Sequence, residues 1–171
     1  TEVSNIAIGY KANAGTEYSS HIAIGSLSEA LGGQSIAIGN GARANTGFTI
    51  AIAHNADVAR DNGESSDSIG IGTNLVNRGM RTILIGGENV SESEPITSNF
   101  AIGIGYHAIP GDTGVAIGEW SSSGLWGNSM GAGANAKGEK SLALGFQAHA
   151  ADEGDISTAD LWPAASLYTS T

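Results

Sequence analysis

Large apolar and small residues alternate along the chain in a short unit that keeps returning. Ile6-Ala7-Ile8-Gly9 recurs as Ile22-Ala23-Ile24-Gly25 and as Ile36-Ala37-Ile38-Gly39. Further copies start at Ile50, Ile69, Ile83, Ile102, Val115, Met130 and Leu142. The ten starts lie 12 to 19 residues apart around a period of 14, and the longer spacings read as loop insertions. Taking Ile36 as position one, positions one and three are large and aliphatic in every copy but one, where Ala132 stands at position three. Positions zero and two are Ser, Thr, Ala or Gly, with Asn5, His21 and Leu84 as bulkier exceptions. An alternation of period two is the signature of a strand and not of a helix. Position four is Gly except at Ala53, which marks a tight bend or a close backbone approach. A second short segment follows, ending in Ala-x-Ala, as in Ala42-Arg43-Ala44 and Ala148-His149-Ala150.

Each unit is therefore predicted as strand, Gly corner, second short strand and polar turn. Such units stack as the turns of an all-β, parallel β-roll of about ten 14-residue repeats, on the order of 45 Å long. The Ile pairs are expected inside and the small residues of positions zero and two outside. Two buried Ile per turn are little apolar surface for 14 ordered residues. Association with further copies is expected to make up the difference, the small outward residues allowing close approach. Residues 1–150 form the predicted repeat domain and 151–171 a capping or linker segment. The stretch 155–163 fits no turn, and Trp162 is expected to cap the last one.

Ser35-Ile36-Ala37-Ile38-Gly39 followed by Ala42-Arg43-Ala44 resembles the repeat of the YadA-like head domain of trimeric autotransporter adhesins. The copies extend from residue 5 to residue 150. The resemblance implies a left-handed β-roll, a homotrimer, and an extracellular location at the end of a bacterial surface fibre. It also implies attachment to a host extracellular-matrix protein or cell-surface receptor. The right-handed crossover rule would by itself give the opposite hand. No neck motif, heptad stalk or membrane-anchor segment is found among these residues. The final segment also resembles, loosely, what precedes the self-cleaving chaperone of some phage tail fibres. The alternative expectation is thus the tip of a virion tail fibre that recognises a bacterial surface glycan or protein.

Composition narrows the partners. Seven Lys and Arg stand against 17 Asp and Glu, a net charge of −10, which leaves little to build a phosphate-binding face for nucleic acid or an anionic membrane. There is no Cys, so disulfides, thiol catalysis and zinc–thiolate sites are all excluded. With 26 Gly but no G-x-y period, and 40% apolar residues, the chain reads as neither collagen nor disordered.

Candidate chemistry is sparse, and no cofactor, metal or catalytic group is expected. Gly103-Ile104-Gly105 and Gly131-Ala132-Gly133 imitate a dinucleotide fingerprint, but helix-hostile Ile109-Pro110-Gly111 and Lys137-Gly138 follow, and the repeat accounts for both. The histidines fall at positions zero (His21), five (His54), six (His107) and eight (His149), two to four turns apart, and read as scattered surface residues. No nucleophile elbow accompanies the many serines. Acidic residues gather in the predicted insertions: Asp61, Glu64 and Asp67 in one, Glu92 and Glu94 in another. They read as solvated loop charges and, with the loops 59–68 and 87–100, as ligand-contact candidates, because insertions in a solenoid project from one face. A polysaccharide depolymerase would need two such carboxylates paired in a groove. Calcium in the 61–67 loop would lack the known loop patterns. Trp120 and Trp126 are the remaining contact candidates. They are placed to stack on a sugar ring or an apolar partner surface, or to pack between subunits.

Overall fold

The computed structural model describes residues 4–15, 20–59, 66–88 and 95–158. Among these every regular element is a strand. Eleven strands, from Ile6–Ile8 to Ile156–Thr158, form one parallel sheet in which each pairs with the strands of the turns before and after it. Equivalent residues sit in register, Ile22 on Ile36 and Ile36 on Ile50. The short second strands build a five-stranded sheet, from Asn13–Ala14 to Val76–Asn77, and a three-stranded one, from Ser122–Ser123 to His149–Ala150. The result is the predicted β-roll of about ten turns.

Its two faces are the reverse of the expectation. Ala23, Ala37, Ala51, Ala116 and Ala143 at position two have no exposed surface, while the Ile residues flanking them are partly or largely exposed. Ser35, Thr49 and Thr82 at position zero are likewise fully buried. Alternation fixes that the two sets face opposite ways, and the width of the interior decides which set goes in. A turn of 14 residues closes two strands of three and two residues upon each other, leaving room for little more than Ala against Ala. Ala37 and Ala44 accordingly belong to one core cluster. The buried hydroxyls are satisfied within their own turns: Ser35 Oγ donates to Gly32 O at 2.8 Å and Thr49 Oγ1 to Thr46 O at 2.7 Å. Small polar residues are thus interior turn-closers, not an outer contact surface.

Where the interior widens, the small residue changes with it. Gly70 and Gly103 replace Ala at position two, and a Cβ on Gly70 would lie 2.5 Å from Val58 Cγ2 and 2.8 Å from Leu75 Cδ2. That vacancy lets Leu75, Leu84 and Ile96 form an aliphatic core in the middle of the roll. Nearby, Arg78 Nη2 meets Asp57 Oδ2 at 2.8 Å, a mostly covered ion pair on the second-strand side.

Two sequence assignments change. The ninth copy starts at Asn128, not Met130: Asn128, Ser129 and Met130 pair with Val115, Ala116 and Ile117, which makes Gly131 position four. Gly131 and Gly133 fit that position equally well in sequence, and the ladder bond from Gly131 N to Ile117 O, at 2.8 Å, selects the first. The stretch 155–163 was expected to fit no turn, yet Ile156–Thr158 pairs in register with Leu142–Leu144. Trp162 lies outside the described residues.

Candidate functional site: an apolar sheet face and its two corner columns

The outward Ile ladder runs the length of the long sheet among the described residues. Each turn presents positions one and three side by side, and neighbouring turns stack Ile on Ile. Ile8, Ile85, Ile104, Met130 and Leu144 are all counted among the exposed large apolar residues. Eleven strands three residues wide make a flat strip of roughly 500 Å², near the top of what monomers ordinarily expose.

Two columns of residues with positive φ frame this strip. One precedes each strand by two residues and includes Phe48, Asp67, Arg81, Phe100, Trp126 and Lys140, with φ between 46° and 57°. The other follows at position six and includes Leu27, Glu88, His107, Trp120, Gly133 and Gln147, with φ between 47° and 68°. The left-handed region is uncommon for bulky residues. Turn-to-turn hydrogen bonds hold it here: Trp126 N donates to Asp112 O at 3.0 Å and Trp120 N to Tyr106 O at 2.8 Å. The corners therefore hold large side chains outward, beside the Ile strip and on its opposite flanks.

Trp120 and Trp126 consequently do not form a pair. Trp120 stacks on His107, with centroids 4.1 Å apart and planes 9° from parallel, and Tyr106 meets both rings edge-on. Tyr106 donates its hydroxyl to Glu88 Oε2 at 3.0 Å. That bond, and the charges of Glu88 and Glu119, push the phenol above its ordinary ionisation range. Beyond Trp120 a shallow cavity of about 300 Å³ opens, lined by Glu119, Trp120, Ala132, Gly133, Phe146 and Gln147. Gly133 leaves the turn between Trp120 and Phe146 without a side chain. On the other flank Lys140 Nζ lies 5.1 Å from the centre of the Trp126 ring, and its bonds to Glu139 and Glu153 raise its ionisation range.

Asp67 stands exposed in the leading column, 3.5 Å from Arg81 Nε. The other acidic candidates, Asp61, Glu64, Glu92 and Glu94, lie outside the described residues. His54 and His149 are exposed as expected, but His21 is not. Position zero faces inward, so His21 is 2% exposed, with Nδ1 3.4 Å from Ser35 Oγ. Among the described residues no three His, Asp or Glu side chains are placed to share a metal ion. Sequence reasoning missed Tyr106, Glu119, Phe146 and the gap at Gly133. Their residue types share no consensus, and only their offsets from the strand start, position five for Tyr106, Glu119 and Phe146 and position six for Gly133, give them away.

The model of the YadA head domain repeat matches residues 22–42, 30–52, 129–148 and 136–157. No curated protein matches the chain. Among solved structures, the collagen-binding domain of the Yersinia adhesin YadA is similar over 99% of this chain and 88% of that one, with 20% identity and a TM-score of 0.42. The matched stretches begin at Ile22 and Ser129 in the long sheet, whose strands continue through every turn between them, while the second strand is reduced to single bridges at Ile96 and Ile109 in two of those turns. Residues 22–52 and 129–157 thus match YadA head repeats, and they lie in a chain wound as a parallel β-roll.

Proposed function

We propose that this chain is the noncatalytic head of a trimeric adhesive fibre on the outside of a bacterial cell, attaching it to host cells or extracellular matrix. The observation that carries the reading is the YadA head repeat in two stretches of a roll whose long sheet runs unbroken through both. YadA-like adhesin domains are parts of extracellular surface fibres, a non-enzymatic kind of protein. The outward Ile strip supports assembly. It is apolar from turn to turn except where Asn128 and Thr158 enter it, and three copies around a common axis would remove it from water. Ligand contact is assigned to the acidic residues of the two long insertions, Asp61, Glu64, Glu92 and Glu94. Their carboxylates suit a basic protein surface, and three linked copies turn weak contacts into useful avidity.

The test is binding of the labelled, mass-verified assembly to immobilised matrix proteins, collagen first, beside intact Gram-negative cells. Saturable binding to a matrix protein with none to bacteria is the expected result. Strain-selective binding to bacteria would overturn it in favour of a tail-fibre tip, and release of sugar from surface polysaccharide would overturn the noncatalytic reading.

A further inference from the structure

The two corner columns differ in a way that the Ile strip alone does not explain. The trailing column has a hole where the leading column has its largest side chain, on the same turn. Trp126 precedes the strand Asn128–Met130, and Gly133 follows it. In the column the hole lies between Trp120, one turn below, and Gln147, one turn above, whose Cγ a Cβ on Gly133 would approach to 3.2 Å; Glu119, Ala132 and Phe146 complete its lining. Trp126 presents an aromatic plate whose ring centre lies 5.1 Å from the Lys140 ammonium, itself paired with Glu139 and Glu153. The two exposed aromatic rings of Trp120 and Phe146 complement such a plate in shape.

Within one chain the two columns flank opposite sides of the Ile strip. They can meet only between copies. The way copies are arranged decides which residues meet. A two-fold axis across the strip reverses the order of turns, so it cannot set each turn against itself. Rotation about an axis along the roll keeps every turn at its height and brings the leading column of one copy to the trailing column of the next. A climb of about 4.8 Å per turn leaves the two corners of one turn within roughly half a turn of the same level. We propose that neighbouring copies join in this head-to-tail manner, with Trp126 of one copy seated over Gly133 of the next, beside its Trp120 and Phe146. The interface is heterologous and closes into a ring. This inference rests on the trimeric reading above and adds which residues make the contact and in which sense.

The chain has no Cys, so thiols can be placed at will. A Trp126→Cys, Gly133→Cys double variant treated with a short bis-maleimide should give a covalent trimer, whereas each single variant should give no covalent product. A swap supplies the second measurement. Trp126→Gly alone leaves two holes and Gly133→Trp alone sets two indoles against each other. Each should weaken assembly by about 30-fold or more, the scale of a central aromatic anchor. The double swap restores one indole per hole and should recover most of that loss, which a purely intrachain role for either residue would not produce. Both positions have φ suited to Gly, other turns carry bulky residues there, and a Cβ on Gly133 would press only on the Gln147 side chain, at 3.2 Å, so the variants should retain the fold, which circular dichroism checks. A native trimer with no 126–133 cross-link, or cross-linking by Trp126→Cys alone, overturns the pairing while leaving the trimer intact. A monomeric native chain overturns the trimeric reading and the pairing together.

Discussion

Replacing Gly105 by Ala tests the close backbone approach along the position-four column. Position four has φ of 133° at Gly105, and its neighbours in the column, from Gly9 to Gly145, share that region. A Cβ there would lie 2.5 Å from Gly118 O and 2.6 Å from Gly118 C. An ordinary C···O contact is about 3.3 Å, so the two turns must part by roughly 0.8 Å. The hydrogen bond from Gly118 N to Ile104 O, now 2.7 Å, would then stretch to the edge of usefulness. Its loss costs about 1 kcal/mol, and the unfavourable φ a further 1–3 kcal/mol. The expected destabilisation of about 2–4 kcal/mol lowers the thermal midpoint by roughly 5–15 °C for a chain of this length. The assay is far-UV circular dichroism on heating, at one fixed chain concentration because assembly adds its own stability. Gly87→Ala is the control. Its Cβ would meet only Thr73 O, at 3.7 Å, and the midpoint should hold or rise slightly. If Gly105→Ala melts with the native chain, the turns are not in backbone contact along this column and the reasoning fails.

Three further outcomes follow from the same geometry. Ala53 occupies the Gly column with φ of 117°, so Ala53→Gly should raise stability by about 0.5–2 kcal/mol in urea unfolding. Ala37→Leu should cost about 3 kcal/mol or more by overfilling the interior, whereas Ile38→Ser should leave the monomer folded and shift the sedimentation mass downwards; the reverse pattern would put Ile inside after all. The Tyr106 phenol can donate to Glu88 only while protonated, so the bond persists below its raised ionisation and is lost as pH climbs through it. Glu88→Ala should bring that ionisation down, as read from the Tyr106 ring signals in an NMR titration.

The period and the strand character were legible because they depend on local chemistry. Ile-Ala-Ile alternates on any pleated backbone, and the Gly of position four answers a steric demand that no other residue meets without strain. Nine of the ten starts read from sequence are the starts observed. The register at Met130 was not legible, since two Gly residues two apart satisfy the same pattern and only the hydrogen bonds to Ile117 and from Gly145 choose between them. The candidate site was legible only in part. Trp120 and Trp126 stand out by type, but their separation onto opposite flanks depends on where each falls relative to its strand.

By itself, then, the alternation determined that the chain winds into stacked turns and that Ile and Ala face opposite ways. Only the tertiary structure decided which way. Hydrophobicity alone favours Ile inside, but the space between two short strands closed by tight corners admits Ala and Ser and not Ile, as the complete burial of Ala37 and Ser35 shows. The interior accepts Leu75 and Leu84 only where Gly70 and Gly103 give up a methyl group on neighbouring turns. Volume shared between turns is a property of the closed roll and of no single repeat. Inverting the faces is what turns the Ile ladder from a core into a surface.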